Sequence, residues 1–433
     1  MFDSLPNGNF VQILKDSNTS LETVISSKDF LYYWEKSSSI LFNYIYKHFN
    51  EIMEIGFQTK EKSVNSIRCL QIISTPNEKF HHHIITKTNL YQFVHDYIFN
   101  ISTYPNYSQK NYFYALPNLM VYKMSELNPV FDSKYFTELL NHIDNDFVFN
   151  FIIRLFEFAP LTIFKILKEI KIDEVIVTNL LKYNIVETQS KFLLIRNQIL
   201  FKELAKSKYD GDMSEVIHHH IGKMIRNAIR NPNCESISFL VYLDKISMNR
   251  SSLSKWHKVH MKLIPYLQNF CQIILNSNDQ IFTPLFESCT LLAISIISST
   301  KDVPDIFITL FKHLLNLFFL LKTNTFLHNC VVSAFKILVS VGKINASFLD
   351  ELDMFNKIID CYVNRKKDGY SPNWGQLRLI SNQMNLFVNN SKTVDTEKWK
   401  KIVMKRNAHE ESIIIENYGG YLPFNFNGIK RFF

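Results

Sequence analysis

A chain of 433 residues with 46% apolar content can bury a large core without disulfides or metals, and its balance of apolar and charged residues excludes the disordered class. It holds 10 glycines and 12 prolines, roughly half the combined usage of an average protein, which argues against sheet domains and glycine-loop nucleotide sites and for helices joined by short polar turns. The formal charge of +8 and pI near 8.9 give a mild bias toward acidic partners, far below that of a dedicated nucleic-acid binder.

The first ten residues lack a basic start and an apolar stretch, so no secretory signal is expected. Helical periodicity then recurs along the chain. Residues 31–46, 90–99 and 135–142 read as helices. In 146–158, Phe147, Phe151 and Leu155 recur at four-residue spacing with Val148, Ile152 and Phe156 beside them, one broad apolar stripe. Pro160 is placed to open the next helix, where its missing N–H costs nothing, and Ile163, Phe164, Leu167 and Ile170 form that helix's stripe. Asp173 is the expected N-cap of another, and Phe192, Ile195 and Ile199 mark one more. Further helices are expected at 214–229, 256–275, 285–298, 306–321, 325–341, 348–363, 375–389 and 396–409. The breaks at 75–78, 231–233 and 302–305 are short and polar. Residues 364–373 read as a surface loop, and the aromatic tail 417–433 interrupts the helical rhythm.

No alternating strand pattern persists. Helices of this length, joined by short turns from end to end, predict an all-α fold: an armadillo/HEAT-like helical-repeat solenoid in which each pair needs its neighbours to bury its apolar face. A compact helical bundle is the alternative. No Pro/Ser/Gly-rich linker divides the chain, so one domain over 1–416 followed by the tail is expected. The most apolar windows, 314–321 and 291–297, fall short of the ~20 residues of a membrane span. A cytoplasmic protein is expected, with the nucleus a second compartment and no membrane partner.

Candidates for chemistry are few. Cys69, Cys234, Cys271, Cys289, Cys330 and Cys361 form no CxxC pair and read as small buried apolar residues. The histidine runs 81–83 and 218–220 point their rings apart on either a helix or a strand, so neither is a metal site by spacing. His257 and His260, flanked by Lys258 and Lys262, read as a solvated face. Nucleophile elbows, kinase signatures and phosphate-binding glycine loops are absent. No catalytic residue, cofactor or metal is expected, and the chain reads as a non-enzyme. Lys223, Arg226 and Arg230 share a helix face, and Lys398, Lys400, Lys401, Lys405 and Arg406 crowd another. A solvated face is the plain reading of both. An acidic-partner groove is the sharper one, ahead of nucleic acid because aromatic residues are not interleaved.

Five stretches, in this order, resemble the SAPS-domain family, the regulatory subunits of protein phosphatase 6-type serine/threonine phosphatases. The segment 21–45 matches in hydrophobic spacing. LLNHIDNDFVFNFIIRLF (139–156) is similar to a leucine-rich helix with one arginine, which places Arg154. NTFLHNC (324–330) resembles an Asn-Asn-Phe-Leu-His segment and assigns Asn324, Phe326, Leu327 and His328. GQLRLISN (375–382) is similar to Gly-His-Leu-Thr-x-Ile-Ala-Asn, with Gly375, Leu377, Ile380 and Asn382 matching, and KWKKIVMKRNAHEE looks like the family's following helix with its tryptophan at Trp399. Gln376 stands where the family has histidine, and the aromatic tail stands where many members carry an acidic extension.

The resemblance implies an armadillo-like scaffold that binds a metal-dependent phosphatase catalytic subunit, with a further scaffold subunit as a possible additional partner, and steers substrate choice without catalysing anything itself. The metals would be the partner's. Phe326, Leu327, Leu377 and Ile380 are expected in the core. Asn324 and His328 are expected to cap a helix or face the partner, and with Arg154, Arg226, Arg230 and Trp399 they form the expected partner-binding set. An unrelated helical adaptor for transport or assembly, or an RNA-binding helical repeat, would share the same helices.

Overall fold

The computed structural model describes residues 9–16, 18–58, 63–74, 80, 89–122, 131–159, 161–182, 188–248, 255–277, 281–365 and 373–415. The turn at 75–78, the histidine run 81–83, Pro160, most of the loop 364–373 and the tail 417–433 lie outside these residues. The described residues contain helices and turns and no strand. Contacts separate the chain into two compact units, Met1–Ile217 and His218–Phe433. The division falls inside a helix, Met213–Arg230, which is why no linker composition marks it.

In the first unit the helices are α1 (Asn9–Lys15), α2 (Leu21–Ser26), α3 (Phe30–Glu35), α4 (Ser39–Lys47), α5 (Phe49–Gln58), α6 (Val64–Ser74), α7 (Leu90–Phe99), α8 (Asn106–Tyr122), α9 (Ser133–Asn141), α10 (Asp146–Phe158), α11 (Leu161–Glu169), α12 (Ile172–Lys182) and α13 (Thr188–Lys206). Each packs mainly on helices one to four places along the chain: α5 on α6, both on α8, α8 on α10, α10 on α13. After α14 (Met213–Arg230), the second unit follows with α15 (Cys234–Met248), α16 (Lys255–Leu263), α17 (Leu267–Leu275), α18 (Pro284–Thr300), α19 (Asp305–Leu320), α20 (Thr325–Ser340), α21 (Ala346–Glu351), α22 (Met354–Asn364), α23 (Trp374–Met384), α24 (Thr396–Trp399) and α25 (Lys405–Ile415). There α15 meets α16 and α18, α17 meets α18 and α19, and α20 meets α18, α19 and α23. This sequence-local stacking, repeated within each unit, is an all-α helical-repeat fold of the kind expected.

Local sequence explains where helices stop. The expected helix 31–46 is two helices, because Ser37 turns into the left-handed region at φ 51°. The Ser38 amide then donates to the Tyr33 carbonyl at 3.0 Å, the bond that closes a helix C-terminus in this way. Gly342, at φ 72°, ends α20 by the same device, with Lys343 N donating to Leu338 O at 2.9 Å. Asp353, at φ 53°, divides the expected helix 348–363. Pro265 lies in a 3₁₀ turn between α16 and α17, dividing 256–275, because proline cannot donate to the preceding turn. Asp173 does not cap α12. It lies inside the first turn and is buried, and the helix is instead preceded by Lys171 at φ 52°.

The cores differ in kind. The first unit is rich in aromatic stacks: Tyr97 lies between Tyr104 and Tyr112, with ring centroids 4.1 and 4.0 Å away. The second is mainly aliphatic, with Leu292, Ile296, Leu310, Leu314, Val331, Leu338 and Ile358 fully buried. Each such side chain contributes about 1.5–3 kcal/mol relative to exposure. Leu327, Leu377 and Ile380 are buried as expected, whereas Phe326 is 63% exposed. Phe326 stands in the first turn of α20, one position before the buried Leu327, and so on the outer side of the stripe. All six cysteines are free thiols, four of them buried. Burial pushes Cys69, Cys271, Cys289 and Cys330 up to about 12, which removes them from thiolate chemistry at neutral pH.

Candidate functional site

The first unit carries an open groove of about 480 Å³ between α8 and α10, lined by Lys110, Phe113, Tyr114, Phe147, Asn150, Phe151, Ile153, Arg154 and Glu157. Its walls are fixed by the caps of its helices. Asn145 stands before α10 and accepts from the Phe147 amide at 2.9 Å and the Val148 amide at 3.3 Å. The same side chain donates to Gln109 Oε1 on α8 at 2.7 Å. Gln109 in turn donates to the carbonyls of Ile101 and Tyr104 at 3.0 and 2.7 Å. From the other side, Arg196 of α13 donates to the Ile143 carbonyl at 2.6 Å, pairs with Asp146, and lies over the rings of Phe192 and Phe149 at 4.0 and 4.7 Å.

Phe113 and Phe151, buried and 5.2 Å apart between centroids, form the floor. Tyr114, 65% exposed, and Phe147 offer aromatic surface at the mouth, with Lys110, Arg154 and Glu157 exposed around it. At the end of α10 and the start of α11, Phe158 and Leu161 are 71% and 64% exposed. Two cations, one carboxylate, an amide and rigid aromatic surface form a recognition set: a flat apolar area with charges that fix orientation.

A second polar constellation lies in the other unit. His260 Nδ1 on α16 is 2.6 Å from Asp244 Oδ1 on α15, and its Nε2 is 2.7 Å from Ser299 Oγ on α18. Ser295 donates to the other oxygen of Asp244. This is the connectivity of an acyl-transfer triad, but the geometry serves packing. The Ser299 hydroxyl donates to the Ile296 carbonyl at 2.7 Å, so His260 donates to Ser299 rather than drawing its proton. Asp244 and His260 are each 1% exposed, and Ser299 lies in the last turn of α18, where a helix presents carbonyls and no oxyanion donors. His260 is therefore a core residue, correcting the expected solvated face. The lysine beside it, Lys262, donates to the His218 carbonyl at 2.8 Å.

No family model matches this sequence, and no curated protein matches it significantly. A crystal structure of an engineered protein from the Northeast Structural Genomics Consortium aligns over 95% of this chain and 94% of that chain with 12% identity and a TM-score of 0.39.

Of the six residues expected at a partner surface, three are exposed arginines, one is a helix cap and two are buried. Arg154 lies in the groove. Arg226 and Arg230 are exposed on α14, and no hydrogen bond or ion pair engages them among the described residues. Asn324 is a helix cap: its side chain accepts from the Leu327 amide at 3.0 Å and donates to the Phe282 carbonyl at 3.3 Å.

His328 is fully buried, its ring edge-on to Phe318 at 4.7 Å, with neither nitrogen in hydrogen-bond geometry. Burial pushes its pKa below the ordinary value against the pull of the nearby Leu321 and Phe318 backbone. Trp399 is fully buried too, donating to Asn385 Oδ1 at 2.8 Å and standing edge-on to Phe355. His328 and Trp399 are thus corrected from surface to core. A histidine and a tryptophan have enough apolar area to be buried where a helix turns inward.

Of the second basic cluster, Lys400 pairs with Glu397 and Arg406 with Glu410, while Lys398, Lys401 and Lys405 are exposed around a π-helical segment, Lys400–Met404. Among the described residues no group of three or more His, Cys, Asp or Glu side chains is placed to hold a metal, and no helix is long and apolar enough to cross a membrane. Lys110 and Tyr114 went unnoticed in the sequence. Their helix α8 lacks a clean apolar stripe and contains Pro117, so periodicity hides it.

Proposed function

We propose that this chain is a non-catalytic scaffold whose partner is a serine/threonine protein phosphatase catalytic subunit, docked in the groove over α8 and α10. The observation that carries the docking reading is Arg154 at the rim of a rigid aromatic groove, because arginine and tyrosine anchors on preorganised walls dominate protein–protein affinity. The identity of the partner rests on the five collinear stretches that resemble the SAPS-domain family. The burial of Leu327, Leu377, Ile380, His328 and Trp399 supports reading those stretches as packing motifs of a shared helical architecture, with the contact surface elsewhere.

The scaffold's role is to present the catalytic subunit to chosen substrates, and the metal ions belong to that subunit. Affinity purification of the full chain from native lysate, identified by mass spectrometry, recovers a phosphatase catalytic subunit on this reading. Its absence across repeated purifications, with a different dominant partner in its place, would overturn it.

A further inference from the structure

We infer that the exposed face of α14 is a second docking surface, for an extended acidic polypeptide segment. This goes beyond the groove reading and does not depend on it. His219, Lys223, Arg226 and Arg230 follow one another at spacings of four, three and four, all exposed, so they form one stripe about 16 Å long. No acidic residue occurs from His218 to Arg230, nor along α16 from Lys255 to Leu263. Among the described residues Lys223, Arg226 and Arg230 have no ion pair and no hydrogen bond. Such a run of unneutralised cations on one helix face repels itself, and a ligand with opposite charge relieves that repulsion.

Two further observations locate the ligand. Gly222 lies in the middle of this 18-residue helix, on the stripe between His219 and Arg226. A helix interior disfavours glycine relative to alanine, and the protein's own packing does not require it here. A Cβ at Gly222 would meet one atom within 4 Å, Arg226 Nη1 at 3.6 Å, which is ordinary contact. The Arg226 guanidinium lies against this bare stretch of backbone, so a main chain reaching the centre of the stripe meets that cation directly. Beside it, Lys262 of α16 donates to the His218 carbonyl at 2.8 Å, the carbonyl that faces the Gly222 amide in the helical pattern. Lys258, one turn earlier on α16, is exposed on the same side as Lys262.

The four side chains span about 16 Å along the axis, the length of about five residues of an extended peptide, so a short acidic segment laid along the stripe reaches all of them. Single-stranded nucleic acid also carries regularly spaced charge, but it takes much of its affinity from base stacking on aromatic side chains. The stripe offers none apart from His219. An acidic polypeptide is the occupant this surface fits.

The test uses the full chain and a fluorescein-labelled twelve-residue peptide of alternating glutamate and serine, read by anisotropy at low salt. The wild type binds with micromolar affinity that weakens as salt rises. Replacing both arginines (Arg226→Gln with Arg230→Gln) weakens binding about tenfold, while Lys343→Glu, at an exposed lysine elsewhere in the same unit, leaves it within about twofold. Gly222→Ala raises the thermal midpoint yet weakens the peptide several-fold, a combination a purely structural glycine does not give. Binding unchanged by the arginine replacements, an equal loss in Lys343→Glu, or tighter binding of a twelve-nucleotide oligouridylate would each overturn the inference.

Discussion

The cores of the two units solve the same problem with different chemistry. In the first, phenol rings carry much of the buried area, and each polar tip must be satisfied. Tyr97 meets Ser108 at 2.6 Å, and Tyr112 donates to the Val94 carbonyl at 2.9 Å with Tyr135 at 3.4 Å. In the second, the buried area is mostly aliphatic, and one buried polar knot, Asp244, His260, Ser295 and Ser299, ties three helices together. Distributed neutral hydrogen bonds fail one at a time, at about 1 kcal/mol each. A buried, interconnected polar network fails as a unit, because removing one member strands the rest.

The largest effect that difference predicts is at Asp244. Asp244→Ala leaves His260 and Ser295 without their partner, and urea denaturation should show a loss of about 3–5 kcal/mol. A loss near 1 kcal/mol would mean the knot is no more cooperative than the phenols. Arg196→Leu tests the strongest polar tie of the first unit. Its buried bond to the Ile143 carbonyl should be worth about 2 kcal/mol, with the pair to the exposed Asp146 adding little through solvent. Limited proteolysis should then report cleavage in α10 before global unfolding. Tyr112→Phe keeps the ring and deletes one hydroxyl, so a thermal melt should record a loss of about 1 kcal/mol.

The smallest effect is a gain. His328→Leu removes a buried ring whose nitrogens have no well-aligned partner and should stabilise by about 1 kcal/mol near neutral pH. The pH dependence sharpens it. The folded pKa of His328 lies below its ordinary 6.5, so as pH falls from 6.5 toward that lowered value the unfolded chain takes up a proton that the folded chain does not. Wild-type stability therefore declines in that window, and melts of His328→Leu at pH 7.5 and 5.5 should lie closer together than those of the wild type.

The same contrast governs how much of the molecule is legible in its sequence. Aliphatic helices with clean stripes read almost to the residue: 146–158 is α10, and 285–298, 306–321 and 325–341 lie within two residues of α18, α19 and α20. Helices whose buried face is tyrosine, glutamine and asparagine, such as α8, have no apolar stripe to read and were missed, and the groove was missed with them. Left-handed turns at Ser37 and Asp353 were also hidden, because neither residue type demands that conformation.

Of the expected surface residues, Arg154, Arg226 and Arg230 are exposed, and for Arg226 and Arg230 the three-residue and four-residue spacing of cations from Lys223 onward marked the outer face. His328 and Trp399 were misplaced because an amphipathic ring suits surface and core alike, and polar neighbours (Asn329 beside His328, Lys398 and Lys400 beside Trp399) suggested an outer face. The Asp244–His260–Ser299 knot draws on three helices and leaves no trace in local spacing.

On the function proposed above, a preorganised surface and no pocket chemistry meets the partner. Calorimetric titration of a purified serine/threonine phosphatase catalytic subunit into the wild type and into the double variant Tyr114→Ala with Arg154→Glu tests it directly. Measurable binding by the wild type is expected, with a loss of about tenfold or more in the variant and its melting temperature little changed. Equal affinity for both proteins, or turnover of a substrate by the purified chain alone, would contradict it.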